Sequence, residues 1–196
     1  GIDTISITTG TILAQTNSQS VTVNAGTGAD VITIVSVYAD TVESTALIVI
    51  DAGDSLTTAR DKLTGADIAT ANLFGTGFDF TGTSTVGTLG TSNDFGTIAT
   101  HNVTAGVVLF DDASTYAEEL VINAANLADA VGYLNANSAD FETFGFKFDS
   151  TGNGTADAFM VYNNGTTDSL IELVGVTAYD AIVTTAASDA GDLFVA

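Results

Sequence analysis

Phe141–Val176 reads FETFGFKFDSTGNGTADAFMVYNNGTTDSLIELVGV, and its two-residue rhythm sets the class of the fold. Phe144, Phe146 and Phe148 alternate with Gly145 and Lys147. Successive side chains of an extended chain point to opposite faces, so three aromatic rings share one face of a strand. Two more strand-like runs follow, Ala158–Tyr162 and Leu170–Val176, parted by the turn sequence Asn163-Asn164-Gly165. The segment predicts an antiparallel meander.

The first connection of that meander carries its own chemistry. Counting from Asp149, oxygen-bearing side chains fall at loop positions 1, 3, 5 and 9 (Asp149, Thr151, Asn153, Asp157), with Thr155 between the last two. Gly154 sits at position 6, where a chain wrapping one cation turns sharply. These donors are hard oxygens without a thiol or imidazole among them, a set that suits Ca2+. Position 12 is Met160, so a missing ligand has to come from elsewhere. The same residues also suit a plain hairpin turn, and that alternative stays open.

Composition narrows the rest. The chain has 196 residues, 45% of them hydrophobic, enough for a real core. A net charge of -21, from 24 acidic residues against Arg60, Lys62 and Lys147, repels nucleic acid and anionic membranes. No apolar run approaches the ~20 residues of a membrane span, so no transmembrane segment is expected. Cysteine and proline are absent, which leaves no disulfide framework or Cys-based site and favours short Thr/Val/Ile strands joined by Gly/Asp turns. No charged n-region with an apolar h-region opens the chain, and Gly1–Ile5 starts in strand-like sequence, as a fragment of a longer protein would.

Toward the N-terminus, strands are predicted at Asp3–Thr9, Val21–Asn24, Val31–Tyr38 and Ala46–Ile50. Ala25–Thr33, AGTGADVIT, follows the nonapeptide GGxGxDxUx with Ala25 in place of the first glycine, and Gly1–Ser6 fits its second half. Gly1 and Gly28 lie 27 positions apart, three nonapeptide lengths, with Gly10 in phase although Ile12 stands where an Asp belongs. In such a repeat the glycines make a tight turn, the Asp offers a carboxylate to calcium and the apolar residue points inward. These residues resemble the RTX repeats of bacterial proteins exported by type I secretion. The resemblance implies a β-roll or β-helix-like part, with Gly26, Gly28, Asp30 and Asp3 as calcium-site residues. A plain Gly-rich turn ahead of a strand is the alternative.

Beyond Ile50, Asp51-Ala52-Gly53-Asp54 precedes a helical segment expected around Leu56–Leu63. Asp51, Asp54 and Asp61 are candidates for a second ion; the favoured alternative has Asp54 or Ser55 capping that helix, with Arg60 and Lys62 balancing the acids. Residues 75–105, rich in Gly, Thr and Ser, read as a partly packed connection between a segment 1–74 and a C-terminal α+β domain 106–196. His101, the single histidine, fits a surface or edge strand. A strand Gly106–Phe110 comes next. A helix then places Ala124, Leu127, Ala128, Val131 and Leu134 on one face, with Asn123 as the preferred cap over a start at Thr115. It is expected to cover the sheet.

The order strand, Asp-rich turn, helix, then 141–176 resembles the C-terminal region of secreted bacterial RTX-type surface-layer proteins. Asp189–Ala196, DAGDLFVA, resembles the acidic-then-apolar ending of type I secretion signals. Neither a nucleophile elbow nor a phosphate loop occurs, so no enzyme is expected. The expectation is a mainly β, calcium-dependent extracellular structural protein of the bacterial cell surface. It assembles with itself into a lattice or filament and has cell-surface polysaccharide as a possible partner. An adhesin module of a larger RTX protein, or the non-catalytic C-terminal part of an RTX protease or lipase, are the alternatives.

Overall fold

A computed structural model describes residues 1–9, 19–36, 44–51, 53–55, 57–66, 76–80, 84–90, 92–177, 181–184 and 193–195. Six N-terminal strands alternate between two sheets. β1 (Thr4–Thr9), β3 (Val31–Ser36) and β5 (Asp61–Thr64) pair in parallel in one sheet. β2 (Gln19–Asn24), β4 (Ser44–Ile50) and β6 (Thr76–Phe80) pair in parallel in the other. Thr4 sits opposite Val31, so Gly1 comes to lie against Gly28, in the frame the nonapeptide spacing predicts. A Cβ on Gly28 would overlap the Gly1 carbonyl, and only glycine allows so close a backbone approach.

The first sheet runs on into the C-terminal half. β7 (Thr85–Val86), β8 (Thr100–Thr104) and β9 (Val107–Asp111) come first, and then a helix, α1 (Leu127–Asn137). The predicted meander follows as β10 (Glu142–Phe148), β11 (Ala158–Asn163) and β12 (Ser169–Val174), paired antiparallel throughout. β12 joins β5 in parallel, Ile171 opposite Asp61, and β10 meets β9 at Gly145. The sheet order is β1-β3-β5-β12-β11-β10-β9-β8, with β7 on β10. Strands from segments 1–74 and 106–196 therefore share one sheet. β13 (Ile182–Thr184) and β14 (Leu193–Val195) extend the second sheet beside β6; the rest of the tail 189–196, and Gly10 and Ile12, lie outside the described residues.

Two cores lie on the two faces of the large sheet. Phe144, Phe146, Phe148, Met160 and Tyr162 pack under Leu127, Ala130, Tyr133 and Leu134 of α1. Phe159, Val161, Ile171 and Leu173 point the other way, toward Ile32, Leu63, Ile48, Ile50, Phe78 and Phe80 between the sheets. β11 is thus buried on both faces, which is why Ala158–Tyr162 is continuously apolar instead of alternating.

Two helix expectations change. Residues 57 and 58 form a turn and Asp61–Thr64 is a strand, because Leu63 is drawn into the inter-sheet core while Lys62 and Thr64 face out. Leu56 lies outside the described residues. The second helix begins at Leu127 with Asn126 at its cap, three residues later than a start on Asn123 predicts. Asn123 instead makes a local turn, its Oδ1 accepting the Ala125 N–H, and bridges to Asp149. Ala124 and Ala128 are exposed, and Ala130 and Tyr133 take the buried face instead.

Candidate metal centres

The loop 149–157 folds around one carboxylate. Asp149 Oδ1 accepts the N–H groups of Gly152 at 2.6 Å and Asn153 at 3.2 Å and the Thr151 hydroxyl at 3.2 Å, and Oδ2 accepts Gly154 N–H at 2.6 Å. Gly152 and Gly154 have φ of 75° and 86° with open space around them, so backbone conformation and not crowding selects glycine there. Asp157 accepts the Ser150 N–H at 2.8 Å and its own N–H reaches Phe148 O, which closes the loop onto the hairpin. Burial pushes the Asp149 carboxyl up, but the Gly154, Gly152 and Asn153 amides outweigh it and hold the group below the usual carboxylate range. The Ser150 N–H and hydroxyl do the same for Asp157. Both groups are therefore ionised at neutral pH, a state that also suits cation ligation. Thr151, Asn153 and Thr155 are exposed, and Asn153 Oδ1 accepts the Thr155 N–H. The turn-forming bonds tie Thr151 and Asn153 to Asp149, and Thr155 joins only through its N–H to Asn153.

The second centre is a ladder of aspartates running across the strands. Asp30 Oδ1 accepts the Asp3 N–H at 2.6 Å; one strand further, Asp61 Oδ1 accepts the Asp30 N–H at 2.8 Å. Asp61 N–H ends the series on Ser55 Oγ at 2.7 Å, and Ser55 in turn donates to Leu170 O. The three aspartates open equivalent triplets, Asp3-Thr4-Ile5, Asp30-Val31-Ile32 and Asp61-Lys62-Leu63, so each turn repeats the second half of the nonapeptide. Asp30 is fully buried, and its Oδ2 has no hydrogen-bond partner. Asp54 and Asp61 are also buried. Asp61 is pushed up to about 7, first by burial and then by the neighbouring charges of Asp30 and Asp54, against the opposing pull of the Asp30 N–H.

The remaining predicted residues surround this ladder. Gly26 takes φ of 73°, with its N–H on Asn24 Oδ1. Gly28 N–H donates to Asp54 O at 3.3 Å. Asp54 Oδ2 accepts the Asp51 N–H at 3.1 Å, and exposed Asp51 holds Asn24 Nδ2 at 3.0 Å. Asp3 is exposed and joins through its backbone. Asp30, Asp54 and Asp61 thus form the buried part. Asp61, a second-ion candidate from the sequence, also opens an Asp-x-Leu triplet that aligns it with Asp30, an equivalence the helix reading of Leu56–Leu63 hides. Among the described residues no three His, Cys, Asp or Glu side chains are arranged as a ready metal cluster; a cation at either centre would draw on hydroxyl, amide or backbone oxygens as well.

The basic residues do not balance these acids. Arg60 and Lys62 both reach Glu172 of β12, at 2.7 Å and 3.3 Å, and Arg60 also lies over the Phe148 ring. Lys147 pairs with Glu119 at 2.8 Å. His101 stands on β8, an outer strand, with Nδ1 2.7 Å from the Tyr133 hydroxyl, and burial pulls its pKa down.

Comparison with known proteins gives no matching family model, no similar curated protein and no similar solved structure.

Proposed function

We propose that the chain is a calcium-dependent, self-assembling structural protein of the bacterial cell surface, exported by type I secretion, and that its first six strands are a decayed β-roll. The observation that carries this reading is the aspartate ladder. Strands that alternate between two parallel sheets, Asp-x-apolar triplets stacked one per turn, and a fully buried Asp30 oxygen without a partner are what a roll leaves when its repeats drift. A Ca2+ ion at Asp30, with oxygens from the Asp54 and Asp61 region, would give that oxygen a partner. A second ion on the exposed side of loop 149–157 would reinforce the hairpin.

Linkage supplies the mechanism. Excess negative charge opposes compaction where calcium is scarce. A bound ion neutralises the buried carboxylates and adds its binding free energy to folding, about 2.7 kcal/mol per site when calcium is 100 times Kd. Self-association is supported by the outer strands of the large sheet. β1 (TISITT) and β8 (THNVT) contain no Lys, Asp, Glu or Pro, the residues by which edge strands normally resist pairing with another chain. Ile2, Val31 and Val35 are exposed close to the β1 edge.

The test is removal of calcium with EGTA, followed by circular dichroism and light scattering. Folding should weaken and assemblies should dissolve, and both should return with added Ca2+; identical unfolding curves and particle sizes with and without the ion would sink the reading.

A further inference from the structure

The large sheet ends at β1, and among the described residues no strand pairs with its outer edge. Thr4–Thr8 of that strand reads TISIT, the same in both directions. Val31 N–H donates to Asp3 O at 2.9 Å and Thr4 stands opposite Val31, so Asp3, Ile5 and Ile7 turn their backbone groups toward β3. Bonding alternates along a paired strand, which leaves the N–H and C=O groups of Thr4, Ser6 and Thr8 directed outward. The side chains divide in the same way. Ile5 and Ile7 are half-buried against the inter-sheet core, which is incompletely covered at this edge, and Thr4 and Ser6 are exposed.

A strand with this symmetry is complementary to itself. In an antiparallel pair centred on Ser6, Ser6 faces Ser6 of a second copy, Thr4 faces Thr8 and Ile5 faces Ile7. The hydrogen-bonded pairs of that register fall on the residues whose backbone groups point outward, ~6 bonds in all. Like side chains then meet across the pair, hydroxyls on one face and isoleucines on the other, where they continue the core. Charge selects the same direction. The two Asp3 carboxylates come to lie ~20 Å apart, beyond the ~8 Å screening length at physiological salt, whereas a parallel in-register pair would set them face to face. β8, the other outer strand of the large sheet, lacks the symmetry, because reversing THNVT sets His101 against Val103.

We propose that two copies of this chain join edge to edge through β1, antiparallel and centred on Ser6, so that one sheet runs across a two-fold axis. Such a pair is a first contact of the self-assembly proposed above, and rests on that reading for association alone, not for calcium binding. An isologous contact closes at two copies, so growth into a lattice or filament takes a further surface.

Equilibrium sedimentation of the chain at physiological salt tests the pair, with Ca2+ and again with EGTA, from about 5 to 500 µM, where a contact smaller than a standard interface shows itself. The mean mass should rise toward twice that of the monomer. Ser6→Pro removes an N–H that makes no bond within the sheet, and Ser6→Lys sets two like charges opposite each other. Both should fold as the parent does by circular dichroism and pair about tenfold or more weakly. Because the chain has no cysteine, register can be read by cross-linking. Ser6→Cys places two Cα atoms ~5.5 Å apart, within disulfide reach, and Thr4→Cys places them ~14 Å apart. Mild oxidation should give a covalent dimer from the first and little from the second. The proposal is overturned if the parent stays monomeric in both solutions, if Ser6→Pro and Ser6→Lys pair as the parent does, or if Thr4→Cys cross-links as readily as Ser6→Cys, the mark of a parallel pair. A monomer whose Thr4, Ser6 and Thr8 amides resist exchange would show the edge occupied by the chain itself and overturn it too. Larger assemblies unchanged by both Ser6 substitutions would overturn this contact and leave self-assembly standing; a β1 pair equally tight in EGTA would uphold the contact and count against calcium dependence. Should Ser6→Pro fail to fold, Ser6→Lys decides.

Discussion

Asp61 makes the stability of this protein run backward with pH over one window, and Asp61→Asn exposes the effect. The carboxyl is buried beside Asp30 and Asp54 and sits near 7 in the folded chain against 3.8 unfolded. Below about pH 4 both states hold the proton and the group contributes nothing. Between 3.8 and 7 the folded state keeps a proton that the unfolded state has released, so each added pH unit costs folding about 1.4 kcal/mol. Above 7 both states are ionised and the penalty is complete, on the order of 4 kcal/mol. Asparagine keeps an oxygen for the Asp30 N–H and resembles the protonated acid, so it escapes the penalty. Urea unfolding in EGTA, followed by circular dichroism from pH 4 to 8, should show the variant gaining on the parent through that window, by about 2 to 4 kcal/mol at pH 8. The difference between the two proteins is the quantity to read, because Asp111, Asp149 and Asp157 are held below their usual range and lose their own contribution as pH falls. Saturating Ca2+ should shrink the gap by favouring the ionised parent. A difference that stays flat from pH 4 to 8 would refute both the burial argument and the coupling to Asp30 and Asp54.

Other expectations are more local. Glu172→Gln leaves Arg60 and Lys62 without their buried partner and should cost about 3 kcal/mol in chemical denaturation, toward the low end for a broken buried pair because Lys62 is half exposed. Gly145→Ala drives a methyl into the Phe159 ring at the centre of the sheet, and a loss of about 1 to 3 kcal/mol should appear in the same assay. Asp149→Ala removes the acceptor of four loop donors, so amide exchange should accelerate across residues 150–157 and calcium affinity should fall, with little change in the inter-sheet core. Unchanged exchange in that loop would mean the carboxylate does not hold it.

The meander, the mainly β class and the loop around Asp149 are legible in the sequence because each rests on short-range rules. A two-residue alternation fixes strand faces, and a glycine at a positive φ fixes a turn, whatever lies beyond. The 27-residue frame from Gly1 to Gly28 is legible too, since the stacked strands keep that step in their register. What the sequence could not settle is which strands become neighbours. Residues 56–63 have apolar and charged positions compatible with a helix. Of these, Thr57 and Thr58 form a turn and Asp61–Leu63 enter a strand because β12 and β3 offer Asp61–Thr64 two ladders to complete, and because the inter-sheet core takes Leu63. The same pairing carries Arg60 and Lys62 across to Glu172, more than a hundred positions away. It also sets Asp61 beside Asp30 and Asp54, turning three separated aspartates into buried neighbours. Local pattern determined the pieces of this protein; long-range parallel pairing, whose energy no short window contains, decided that its acids would share a buried centre.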